Sequence, residues 1–246
     1  MTVQVYELAS REEFCRQAGD LLGAAGAEAV AERSRFLLVL TGGRTVQPIY
    51  RFLADGAGRE LQNILRKKTF FFWGDERWVP PNHPDSNQGL ARRLFLEPLA
   101  VPAGRQLAVN VKLPDQLAGA RAYEESLRDF FAEQLAPEGL PVFDLVLLGL
   151  GPDGHVASLF PASSALAEEH HWVRKVSAPE LRPRVGRVTM TLPVLNRARL
   201  LIVLAAGAER VGLARRIIEG TAGSRAYPAS RLQPAGRLVW LLADGN

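Results

Sequence analysis

The stretch that decides the fold is Phe143 to Pro161, FDLVLLGLGPDGHVASLFP. Phe143 to Leu148 is apolar except for Asp144, as suits a strand buried on both faces of a parallel sheet. It breaks into Gly149-Leu150-Gly151-Pro152-Asp153-Gly154-His155, where three glycines and a proline stop either strand or helix and force a tight turn. In an open α/β sheet, ligands bind at such carboxyl ends of strands. This turn carries an acid and an imidazole, Asp153 and His155, with one glycine between them. A structural histidine capping a loop is the competing reading, and other parts of the chain must decide. Gly149, Gly151 and Gly154 also match G-x-G-x-x-G literally, a weak signal by itself. Asp153 puts a carboxylate where a pyrophosphate would have to approach, and no clear strand ending in an acid follows about twenty residues on.

Working outward, other strand-like runs surround this one. Val3 to Leu8, Phe36 to Leu40, Lys68 to Trp73, Ala108 to Leu113, Arg187 to Leu192, Leu200 to Ala205 and Leu238 to Leu242 all read as strands, the last completing the sheet. Helical patterns separate them. Ser10 to Glu13 is a capping box for a helix through Phe14, Ala18, Leu21, Leu22 and Ala25; Ser86 and Asp115 are N-cap residues, and Gly207 opens a further helix. Strands alternating with helices predict an α/β fold in which residues 1–246 form a single domain, a mostly parallel, doubly wound, Rossmann-like sheet flanked by helices.

Three further stretches carry chemistry. Thr41-Gly42-Gly43-Arg44-Thr45 joins a strand to a helix. Its glycines allow close approach, and the helix start presents free N–H groups to an anion. It is not a Walker A loop, whose G-x-x-x-x-G-K-[ST] spacing is absent, and a plain tight turn remains open for it. Gly74-Asp75-Glu76-Arg77-Trp78-Val79-Pro80 places two acids and an arginine at the end of an aromatic strand. Arg77 there can hold a phosphate or carboxylate, or stabilise an oxyanion. Alternatively the three charges pair with one another and hold a loop. Arg210, one turn into the helix that Gly207 opens, is either a second anion contact or a solvated helix residue.

Composition narrows the function classes. The chain has 246 residues, 47% hydrophobic, and a formal charge of +4. Lysine occurs only at positions 67, 68, 112 and 175, so arginine carries nearly all the positive charge. This favours an anionic metabolite over nucleic acid, because no basic run interleaves with aromatics. The single cysteine, Cys15, excludes an internal disulfide framework and a cysteine-based zinc site, and its helical setting predicts a buried thiol. His170 and His171 read as surface loop with no third ligand nearby. No apolar run is long enough to span a membrane and residues 1–10 lack signal-peptide features, which makes the cytoplasm the expected compartment.

In order, LTGGRT, WGDERWVPPNHPDSN, DLVLLGLGPDGHVASLFP and RVTMTLPVLN followed by GAER resemble the glucosamine-6-phosphate isomerase/6-phosphogluconolactonase family, and its lactonase branch in particular. The likeness runs from about residue 36 to about residue 212. It implies hydrolysis of 6-phospho-D-glucono-1,5-lactone in the oxidative pentose phosphate pathway, without cofactor or metal, by a chain expected to be a monomer. His155 would be the general base, Asp153 its orienting acid and Arg77 the cation over the substrate. Gly42, Gly43, Arg44 and Thr45, with Arg210, would hold the 6-phosphate. Arg210 departs from the lysine usual at that place. The isomerases and deaminases of the family typically follow the histidine with a stretch like IAFNEP containing a catalytic glutamate. Here Val156 to Pro161 stands instead, which disfavours that chemistry. A non-catalytic phosphosugar-binding module is the remaining alternative; it predicts a fused DNA-binding segment and leaves the Asp153 and His155 pairing without a purpose.

Overall fold

The structure, a computed structural model, describes residues 2–132, 135, 139–178 and 182–244. In chain order the elements are β1 (Thr2–Leu8), α1 (Arg11–Arg33), β2 (Phe36–Leu40), α2 (Gln47–Arg51), α3 (Arg59–Lys67), β3 (Thr69–Trp73), β4 (Asp75–Arg77), α4 (Asn87–Ala91), β5 (Gln106–Leu107), α5 (Gln116–Phe130), β6 (Leu145–Gly149), β7 (Val173–Val176), β8 (Arg187–Met190), α6 (Leu192–Leu195), β9 (Leu200–Ala206), α7 (Ala208–Ile218) and β10 (Arg237–Ala243). Both α2 and α4 run on into π-helical turns, Phe52–Gly56 and Arg92–Leu96.

Seven strands form one parallel sheet in the order β1-β10-β9-β6-β2-β3-β5. Because side chains alternate across a strand, each central strand feeds two cores. Leu37, Val39, Val146, Leu148, Leu201, Val203 and Trp240 pack on one face with α5 and α7. Phe36, Leu38, Leu145, Leu147, Ile202 and Val239 pack on the other with α1, α2, α3 and α4. Apolar runs such as FLLVL are continuous rather than alternating because both faces are covered. A smaller antiparallel sheet, β4-β8-β7, lies beside this one. It is tied to α5 through Glu124, whose Oε2 accepts from the backbone N–H groups of Trp172 and Val173 at 3.0 and 3.1 Å.

The winding reverses once. From β2 the chain adds β3 and β5 on one side, then returns at β6 on the other side of β2 and adds β9 and β10. The crevice between the carboxyl ends of β2 and β6 is thus the topological switch point, where ligands bind in such sheets.

Several expectations need correction. Residues 108–113 are irregular, and the strand that pairs with β3 on its outer side is only the two residues of β5. Arg187 to Leu192 is strand only as far as Met190, because Pro193 sits in the first turn of α6, and it joins the small sheet. Leu238 to Leu242 lies in β10 but does not finish the sheet, whose edge is β1. The Ser10 cap accepts from Glu13 N at 3.1 Å as expected, while Glu13 returns its bond to the N–H of Ala9 rather than of Ser10. Ser86 and Asp115 cap α4 and α5 through Gly89 N and Ala118 N, and Cys15 is buried.

Leu147, fully buried in the central strand β6, should lose about 2–5 kcal/mol of stability on substitution to alanine. Urea unfolding of Leu147→Ala beside the unsubstituted chain measures it.

Candidate active site

The loop after β2 turns on close backbone approach. A Cβ on Gly42 would come within 1.6 Å of Asn87 Oδ1, so only glycine lets the loop lie against α4. Tyr50, buried in α2, donates its hydroxyl to Thr41 O at 2.6 Å and pins the loop to the helix it leads into.

The loop after β6 holds the imidazole. A Cβ on Gly151 would sit 2.1 Å from His155 Nδ1, so the ring lies on bare backbone. Gly151 N donates to His155 O at 2.9 Å, closing the turn. His155 Nδ1 bonds Asp153 Oδ1, and the same oxygen accepts from His155 N at 3.2 Å. Burial pushes the Asp153 carboxyl up, but its bonds to the His155 ring and backbone outweigh that and hold it below the ordinary carboxylate range. An ionised carboxylate on Nδ1 requires that nitrogen to carry the proton, which leaves Nε2 as the basic one. Phe160 packs against the ring, centroids 4.5 Å apart.

The third wall is β4, and its charges do not pair with one another. Asp75, buried, accepts from Asn87 Nδ2 at 3.0 Å and from Ser158 Oγ at 2.6 Å, joining β4 to α4 and to the loop after β6. Glu76, also buried, accepts from Arg77 N, Asn87 N and Gln88 N, each at 2.7 Å, and from Ser86 Oγ at 3.2 Å. It thereby fixes the start of α4 against β4. Arg77 donates from Nη1 to Asp85 O at 2.9 Å. Its register partner Arg187 is 4% exposed, and burial plus the positive charge of Arg77 bring its guanidinium down to about 10.

These walls enclose a cleft of ≈ 580 Å³ at the switch point. Gly42, Gly43, Arg44, Thr45, Arg77, His155 and Arg210 all line it, and Asp153 stands behind His155. Arg187 is not among the lining residues. A larger cavity of ≈ 830 Å³ opens at the opposite, amino edge of the sheet. There Arg33 and Arg199 pair with Asp144, whose carboxylate also accepts from Leu37 N, so these charges hold strands together. Among the described residues no group of three or more His, Cys, Asp or Glu could hold a metal, and the His171 ring lies 3.7 Å from Glu124.

Sequence reasoning did not assign site roles to Asp75, Glu76, Asn87 and Ser158. The one local signal was the pair of acids at the end of an aromatic strand. Their side-chain partners lie 10 to 83 residues away in sequence, beyond any local pattern.

With the geometry in place, a family profile described as glucosamine-6-phosphate isomerases/6-phosphogluconolactonase matches residues 9–240. The chain belongs to this family. It is 39% identical to a 6-phosphogluconolactonase of Synechocystis sp., over 87% of this chain and 85% of that one. It is 38% identical to the human 6-phosphogluconolactonase, over 91% and 87%. The solved structure of 6-phosphogluconolactonase from Trypanosoma brucei superposes with a TM-score of 0.85 and 31% identity, covering 98% of this chain and 96% of that one. A monomeric glucosamine-6-phosphate deaminase, 20% identical at a TM-score of 0.76, shares the fold.

Burial is the main force on Glu76 and pushes its carboxyl from 4.5 up to about 7, against the backbone N–H groups of Gln88, Asn87 and Arg77. Between those values the folded chain keeps a proton that the unfolded chain has lost. Stability from this group is therefore fully present below about 4.5 and is lost as pH rises through about 7. Glu76→Gln cannot titrate, so the stability of the unsubstituted chain relative to that variant should fall between about pH 4.5 and about pH 7 and then level off. Urea midpoints of both across that range measure it.

Proposed function

We propose that this protein hydrolyses 6-phospho-D-glucono-1,5-lactone to 6-phosphogluconate, with His155 as general base. The observation that carries the reading is that an oriented imidazole, an arginine with no carboxylate partner among the described residues and a glycine-rich anion loop line one cleft. Its lining suits a substrate with a phosphate at one end and a reactive carbonyl at the other. Gly42, Gly43, Arg44 and Thr45, with Arg210, bind the phosphate, and this places the lactone C1 beside His155. Arginine at 210 keeps the charge of a lysine but offers a planar fork of donors.

In the reaction, His155 Nε2 takes a proton from a water whose oxygen attacks C1. Asp153 stabilises the imidazolium that results. Negative charge builds on the carbonyl oxygen beside Arg77, in a site where fixed donors outperform bulk water. Collapse of the tetrahedral intermediate breaks the bond from C1 to the ring oxygen, which receives the proton from His155. The new carboxylic acid then ionises, so each turnover releases one proton. A δ-lactone is an activated ester, and a positioned base contributing about 10² to 10⁴-fold is adequate chemistry without a cofactor or metal. Ser158 is not the nucleophile in this reading. Its hydroxyl is buried and donates to Asp75, and no G-x-S-x-G elbow presents it. The same reading takes residues 1–246 as one domain, working as a monomer in the cytoplasm. No described helix is long and apolar enough to cross a membrane.

Proton release on adding freshly made 6-phosphogluconolactone, corrected for spontaneous opening, tests the assignment. His155→Ala should lower kcat by about 10² to 10⁴-fold with KM little changed, because the phosphate contacts lie elsewhere. Arg77→Ala should raise KM and lower kcat together. No acceleration over background by the unsubstituted protein would refute the reading.

A further inference from the structure

Beyond the phosphate loop a second groove, ≈ 450 Å³, opens at the carboxyl ends of β9 and β10, beside Ala206 and Ala243. Arg11 from the first turn of α1, Arg51 from the end of α2, Arg44 and Arg210 all line it, and no aspartate or glutamate does. Among the described residues none of these four guanidiniums pairs with a carboxylate. Arginines elsewhere do: Arg92 with Glu97, Arg128 with Glu124, and Arg215 with Glu7 and Asp244. Four like charges sharing a groove raise each other's energy and build a positive potential that an anion relieves.

We propose that this groove is a second anion subsite, which takes a polyphosphate. One phosphate dianion matches two guanidiniums, whereas four call for roughly four negative charges on adjoining groups, each able to bind an arginine fork bidentately. Arg44 and Arg210 line both this groove and the active-site cleft. A polyphosphate in the groove therefore draws on two of the cations that the substrate's phosphate needs, and the two ligands oppose each other. Arg11 and Arg51 line the groove alone, which makes them the residues that separate the subsites. The opposition rests on the reading of the cleft as the phosphosugar site; binding in the groove does not.

Inorganic pyrophosphate, without divalent metal, is the probe. By titration calorimetry it should bind the unsubstituted protein and bind Arg11→Ala/Arg51→Ala at least about tenfold more weakly. Both side chains are exposed, so the double variant keeps its fold. In the proton-release assay, pyrophosphate should raise KM for the lactone without lowering kcat, and the rise should shrink in the double variant, whose kcat and KM without pyrophosphate stay unchanged. ATP in a parallel titration identifies the source of the polyphosphate: tighter binding than pyrophosphate points to a nucleotide, and equal or weaker binding to a free polyphosphate. Equal pyrophosphate binding by both proteins, or none by either, overturns the proposal. So does a raised KM in the double variant without pyrophosphate, which would make the groove part of the substrate site. Pyrophosphate binding that the double substitution abolishes, in a protein with no lactonase activity, sustains the groove and refutes the functional reading alone.

Discussion

Seven parallel strands must end their carbonyl-bearing tips on one edge, and the single reversal of winding between β2 and β6 is the constraint on which the rest depends. Where sequential connections diverge to opposite faces, no helix covers the gap between the two strand ends. The loop at Thr41 and the loop at Gly149 leave the sheet on the two sides of that gap. Neither contains a complete site. The glycine loop lacks a base, and the loop of His155 lacks a cation. Adjacency in the sheet, between residues more than a hundred positions apart, brings the two halves together.

The third component is electrostatic. The site is rich in arginine, and the carboxylates that could have neutralised Arg77 are engaged elsewhere. Asp75 is turned to Asn87 and Ser158, and Glu76 to the backbone at the head of α4. Burying two acids is costly unless each receives donors, and here both do. The acids thus hold the scaffold while the guanidinium of Arg77 keeps its charge for the cleft. Arg187 beneath it adds positive potential without touching the cleft, at the expense of its own proton affinity.

Much of this was legible in the chain. Continuous apolar runs marked the doubly covered strands, and glycines after β2 and β6 marked the tight turns at the carboxyl edge of the sheet. The pairing of Asp153 with His155 could be read because it is local. What stayed hidden depends on distance. Nothing near Ser158 announces Asp75, and nothing in Arg187 to Met190 tells whether that strand joins the large sheet or a small one. The stretch 108–113 shows the opposite failure. Its residues alternate well enough for a strand, but on the side of β3 away from β2 only the two residues of β5 pair, and propensity without a partner does not make a ladder.

The contact between Gly42 and Asn87 has a consequence for how such a protein can change. The backbone of one motif fills the space that a side chain on it would need, and the occupant of that space is the amide of another motif, itself bound to Asp75. Neither position is free to drift alone: a larger residue at 42 demands a smaller one at 87, and a smaller one at 87 leaves Asp75 short of a donor. Directed evolution that randomises position 42 by itself would meet this clash with every larger residue. Libraries that vary 42, 75 and 87 together reach the combinations in which the cleft can be reshaped.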